Sequence, residues 1–140
     1  MTGFNPETSE GDNKNLISRL ERISRNCENI LDMITIATRR NGSKRPSFKD
    51  NEVNEVKNNV NAISADVEGF LRELESSKID NNQKVSLEKN IRALAAEIMT
   101  LIDLLKRLES QEVDIYEIQT RVKSIQEIVD NIKNNLRRSR

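Results

Sequence analysis

The stretch Leu87-Glu-Lys-Asn-Ile91-Arg-Ala-Leu94-Ala-Ala-Glu-Ile98-Met-Thr-Leu101-Ile-Asp-Leu104-Leu105-Lys-Arg-Leu108 decides the fold. Its seam residues Leu87, Ile91, Leu94, Ile98, Leu101, Leu105 and Leu108 recur at intervals of 4-3-4-3-4-3, which places them along one side of an α-helix. Ala95, Ala96, Met99, Ile102 and Leu104 add apolar surface beside that seam, so this helix is expected at the centre of a bundle.

The same period returns three times. Leu16, Leu20, Ile23, Cys27, Ile30, Ile34 and Ala37 carry it in a first helix, with Ile17 and Leu31 widening the stripe. Val53, Val56, Val60, Ile63, Val67, Phe70 and Leu74 carry it in a second, whose other positions are mostly Asn and acidic residues. Ile115, Ile118, Val122, Ile125, Val129, Ile132 and Leu136 carry it in a fourth. Beyond Pro46 there is no proline and one glycine, Gly69, so nothing breaks these helices from within. The fold class read from this pattern is all-α: four long amphipathic helices over about 13–40, 48–79, 81–109 and 114–138, packed as an antiparallel bundle or as coiled-coil hairpins. Residues 13–140 form one domain in this reading, after a flexible, polar tail at 1–12.

Punctuation supports the boundaries. Arg39 and Arg40 sit where cations favour the end of a helix dipole, and Asn41-Gly42 follows as a stop. Ser47 with Asp50, Asp80 with Gln83, and Asp114 with Glu117 offer N-caps at capping-box spacing. Between the third and fourth helices there is no Gly or Pro, only Ser110-Gln-Glu-Val113 and a shift of heptad phase. That junction fits either a tight turn, favoured by the Asp114 cap, or one rod with a stammer.

Composition narrows function more by exclusion than by signal. One third of the 140 residues are charged, 3% are aromatic, and there is no His or Trp. Mean hydropathy is −0.69. Such a chain builds thin helix-on-helix seams rather than a thick core. Net charge is zero but unevenly spread: residues 13–47 hold eight Lys/Arg against three Asp/Glu, and residues 48–80 hold four against eight. The first two helices are therefore expected to attract each other. A balanced total speaks against a general nucleic-acid binder. No apolar run is long enough to span a membrane, and the N-terminus does not resemble a targeting peptide, so an intracellular location, cytoplasmic or nuclear, is expected.

Catalytic, metal and cofactor-binding residues are not expected. Without His, a Cys pair, a Gly-rich phosphate loop or a nucleophile signature, the numerous carboxylates have no companions, and Glu52, Glu55, Glu73 and Glu75 fall among solvated positions. Cys27, the single cysteine, reads as a small core residue.

What remains is assembly. The third helix has Ile91 and Ile98 at one seam position and leucines at the other, a dimer-favouring arrangement; the fourth has Ile118, Ile125 and Ile132, which tolerates more strands. No Asn or Lys interrupts a seam. The expected function is a non-enzymatic scaffold or adaptor that meets protein partners through Ile91, Leu94, Ile98, Leu101 and Leu105 and through Ile118, Val122, Ile125, Val129 and Ile132, as a homo- or hetero-oligomer. The alternative is an anion-binding module that docks nucleic acid or an acidic membrane through Arg39, Arg40, Lys44 and Arg45 and through Arg137, Arg138 and Arg140. No aromatic residue interleaves with either basic cluster, so single-strand stacking is not part of it. Ser43 and Ser47 have basic residues at offsets that suit a basophilic kinase, and a phosphate on Ser47 is expected at the start of the second helix.

Overall fold

The computed structural model describes the backbone over residues 6–41, 47–110 and 114–138. It is all-helical: α1 Pro6–Asn41, α2 Asp50–Ser76, α3 Asn81–Ser110 and α4 Ile115–Arg138. α1 packs on α2, α2 on α3, α3 on α4 and α4 back on α1, and among the described residues the backbones of the diagonal pairs do not come close. The bundle is a ring of four.

Neighbouring helices run antiparallel. Arg19 meets Glu73 while Arg40 meets Glu52, which fixes opposite directions for α1 and α2. Glu97 meets Arg121 while Gln83 meets Asn135, which does the same for α3 and α4. The junction left open between a rod and a hairpin is therefore a hairpin. Its α4 side is set by Asp114, whose carboxylate accepts from Tyr116 N at 2.9 Å while its carbonyl accepts from Glu117 N at 3.0 Å.

All four stripes face the common axis. Leu16, Leu20, Ile23, Cys27 and Ile30 of α1, Val56, Ile63, Phe70 and Leu74 of α2, Leu87, Ile91, Leu94 and Leu101 of α3, and Ile118 to Ile132 at heptad spacing on α4 are fully buried. Burial and the charge on Glu28 push the Cys27 thiol up to about 12, so it stays protonated and behaves as a small apolar side chain.

Several expectations need correction. α3 is not central; it is one corner of the ring, and of its surplus apolar residues Leu104 is buried, Ala95 and Ile102 are half-buried and Met99 is 71% exposed. A four-membered ring has no central position for a helix to occupy. α1 begins at Pro6 rather than Asn13, so part of the expected tail is helix; proline suits the first helical position because its φ is already helical and its missing N–H has no partner there. α2 begins at Asp50, and its N-cap is Lys49, not Ser47. Glu52 explains the shift: its carboxylate accepts from Lys49 N at 2.8 Å, one half of a capping box, and a lysine ammonium has no lone pair to supply the other half. α2 stops at Ser76, where Ser77 turns out of helical geometry and donates from Oγ to Leu74 O at 2.8 Å. Asp80 caps α3 through Asn82 N at 3.1 Å, but Gln83 sends its amide across to Asn135. The short link from Ser77 to Asp80 closes that end of the bundle with Ile79, which is buried.

Truncating a side chain on the axis leaves a void that four packed helices cannot collapse around. Leu101→Ala is expected to lower unfolding free energy by about 3 kcal/mol, measured by urea denaturation followed by circular dichroism, whereas Met99→Ala on the outer surface changes it by less than about 0.5 kcal/mol.

Candidate functional site

Each set of sequence-expected residues lands in a definite place. The seam residues Ile91, Leu94, Ile98, Leu101, Leu105, Ile118, Val122, Ile125, Val129 and Ile132 are all buried within the chain's own bundle, at 3% exposure or less. They are brought together, but against each other. While the bundle is closed, no seam presents itself to a partner.

The basic residues are divided. Arg39 and Arg40 lie in the last turn of α1; Ser43, Lys44 and Arg45 lie outside the described residues. Arg137 is exposed near the end of α4; the Arg138 side chain and Arg140 are outside the described residues. Ser24 of α1 lies beside Lys133 of α4, with Nζ to Oγ 3.3 Å. Counting helix rise from that contact puts Arg40 and Arg137 about 30 Å apart along the bundle. They form opposite ends, not one patch.

Arg40 is also already engaged. It makes a two-pronged pair with Glu52, Nη2 to Oε1 2.8 Å and Nη1 to Oε2 3.0 Å, and Nη2 donates to Ser47 O at 3.1 Å. One guanidinium thus ties the end of α1, the approach to α2 and the first turn of α2. Its hydrogen bonds, with the Lys49 amide, hold the Glu52 carboxyl at about 2, well below the usual 4.5. Glu52 is only 13% exposed as a side chain, covered by its partner rather than solvated as the sequence pattern suggested.

A second charged cluster sits lower on the same seam and was not foreseen residue by residue. Asp66 of α2 is buried, with Arg19 Nη1 at 3.2 Å and Arg22 Nη2 at 3.0 Å from its Oδ1. Arg19 bridges onward to Glu73, Nε to Oε1 2.7 Å, and this hydrogen bond raises the guanidinium pKa further despite the burial that opposes it. Glu73, like Glu52, is therefore paired rather than solvated. The charge asymmetry between the first two helices resolves into these contacts: basic α1 and acidic α2 are joined by Arg19, Arg22 and Arg40. Gly69 makes room for them. A Cβ added at Gly69 would land on the Arg19 guanidinium, so the one glycine inside α2 is a notch in which that group lies.

Two shallow grooves lie among the described residues. One, about 340 Å³, runs between α3 and α4 and is lined by Thr100, Leu104, Arg107, Tyr116, Thr120 and Arg121 among others. Tyr116 is 45% exposed on its rim. The other, about 430 Å³, lies between α1 and α2 over Met33 and is otherwise polar, with Asn29, Asp32, Glu55, Asn58 and Asn59. Among the described residues there is no cluster of three or more His, Cys, Asp or Glu that could hold a metal, and no helix long and apolar enough to cross a membrane. No family model, curated protein or solved structure matches this chain.

The notch and the clip each generate a measurable outcome. Gly69→Ala gains about 1 kcal/mol of helix propensity but dislodges Arg19 from Asp66 and Glu73. The substitution is therefore expected to destabilise the native chain and to stabilise an Arg19→Met background, a reversal of sign read from a thermal-melting double-mutant cycle. For Glu52, the folded carboxyl has the lower pKa, so the unfolded chain binds the proton first as pH falls. Its contribution is complete above about 4.5 and is lost as pH falls from there to about 2. Over that window Glu52→Gln should show a shallower decline of melting temperature than the native chain.

Proposed function

We propose that this chain is a non-enzymatic helical adaptor or scaffold, acting as a homo-oligomer or as a small subunit of a larger protein complex. The observation that carries the reading is a bundle that buries all four seams internally and still exposes large apolar side chains. Ile36, Val85 and Met99 are more than half exposed, and Tyr116 stands at the rim of the α3–α4 groove. An aromatic side chain at the edge of a groove is the kind of anchor on which protein–protein contacts concentrate their binding energy. The partner surface in this proposal is therefore the outer face of α3 and α4. Seam residues such as Ile98 and Leu101 would reach a partner only if a helix left the ring.

The alternative, docking on nucleic acid or an acidic membrane through the basic ends, is supported by the exposure of Arg39 and Arg137. Their separation means that a flat or rod-like anion would meet both only by lying along the bundle.

Sedimentation velocity and capture by the immobilised chain distinguish these readings. Under the adaptor reading, combined Met99→Glu and Tyr116→Ala substitutions abolish association with unchanged helicity, and the native association varies little between about 50 and 200 mM salt. Binding to duplex DNA or anionic vesicles that falls steeply over that salt range, and is lost in Arg39→Gln and Arg137→Gln, would replace it with the alternative.

A further inference from the structure

Ser47 lies in the described segment just ahead of α2, outside any helix and exposed. Lys49 occupies the α2 cap position, so Ser47 is not the residue on which the start of that helix depends. In sequence it follows Lys44 and Arg45 at three and two positions. An exposed serine in non-helical backbone with basic residues on its N-terminal side is what a kinase of the basophilic class accepts as substrate. The structure adds what the sequence does not contain: the Ser47 carbonyl already holds the Arg40 guanidinium at 3.1 Å, and the same guanidinium grips Glu52 at 2.8 and 3.0 Å.

We propose that Ser47 is a phosphoacceptor site, and that its phosphate takes Arg40 from Glu52 and so rewires the clip between α1 and α2. In the transfer, Ser47 Oγ attacks the γ-phosphorus of a nucleoside triphosphate held by the kinase. The bond from that phosphorus to the β–γ bridging oxygen breaks, the nucleoside diphosphate leaves with the electron pair, and the hydroxyl proton passes to the kinase's base.

The new group competes well for Arg40. A phosphoserine carries a charge of about −1.5 to −2 and three acceptor oxygens, against one charge on a carboxylate. Arg–phosphate pairing is also two-pronged, like the Arg–carboxylate pair it replaces. Arg39 at the end of α1 and Lys49 at the start of α2 are exposed and add positive charge nearby, and the N-terminal turn of α2 favours an anion through its helix dipole. Asp50 and Glu52 oppose it. Because Glu52 cannot share one guanidinium with a phosphate without close like-charge contact, it is the group released. It keeps its bond from Lys49 N, and the α2 cap survives.

Two experiments on the full chain test the two halves. The chain is first incubated with ATP and a basophilic protein kinase, and the phosphosites are mapped by mass spectrometry. Modification of Ser47, absent in Ser47→Ala, is expected; a chain left unmodified, or modified at Ser43 or Ser139 instead, overturns the acceptor assignment. Phosphoserine is then installed at position 47 by semisynthesis, and the loss of melting temperature on Glu52→Gln is compared with and without it. In the unmodified chain the substitution lowers the melting temperature; in the phosphorylated chain it loses at least half of that effect. An equal loss in both overturns the exchange of partners.

Discussion

A narrow apolar stripe can be buried only by turning it toward others of its kind. Each of the four helices carries such a stripe over part of its circumference, and each is covered by two neighbours when the helices stand in a ring. This arrangement buries Leu16, Phe70, Leu94 and Ile125 in one shared core while each helix keeps two adjacent neighbours. It also excludes a central helix. The surplus apolar residues of α3 are therefore distributed between its two flanks and the solvent: Leu104 is buried, Ala95 and Ile102 are half-buried, and Met99 is exposed.

Apolar seams without a polar residue hold helices together more firmly than they hold register. Along α1 and α2 the register is pinned by charge. Asp66, taken from water, needs Arg19 and Arg22; Arg19 reaches it and Glu73 because Gly69 leaves a space. At the other end of the same seam Arg40 and Glu52 perform the task by a two-pronged pair. Removing one partner of a buried ion pair costs far more than the pair contributes, because the remaining charge is left unsolvated. The Asp66 cluster thus penalises slipped alignments more than it deepens the native one, whereas the Arg40–Glu52 pair, whose arginine is exposed, adds geometric definition more than energy. On α3 and α4, Glu97–Arg121 and the Gln83–Asn135 bond bracket the hairpin in the same manner.

Closure has a consequence for function. Residues with the strongest pattern, Ile91 to Leu105 and Ile118 to Ile132 at heptad spacing, lie innermost, so under the proposed function any recognition by the closed bundle would use the less patterned surface. That surface offers an aromatic at a groove, a few isolated apolar side chains, and basic residues at two distant ends. The loop side of the bundle differs from the rest in that one arginine joins three segments there. A change of charge at that point acts on the geometry of a helix start rather than on the core.

The sequence by itself determined the class of fold, the four stripes and the opposite charges of α1 and α2, because these depend on local period and composition. It also located Asp80 and Asp114 as helix starts, since a cap is made within a few residues. It placed the α2 cap wrongly at Ser47, because the group that sets that start is Glu52, whose place is fixed by Arg40 twelve residues upstream. The notch at Gly69 and the burial of Asp66 were equally out of reach: each is defined by Arg19 on another helix. Gly69 could have been suspected, as the one glycine in a long helical stretch. Only the tertiary structure decided that the seams close within one chain, that the basic ends lie apart, and that Arg40 is already paired. Those facts turn on which faces meet, and a heptad is silent on whether the face it must meet belongs to the same chain.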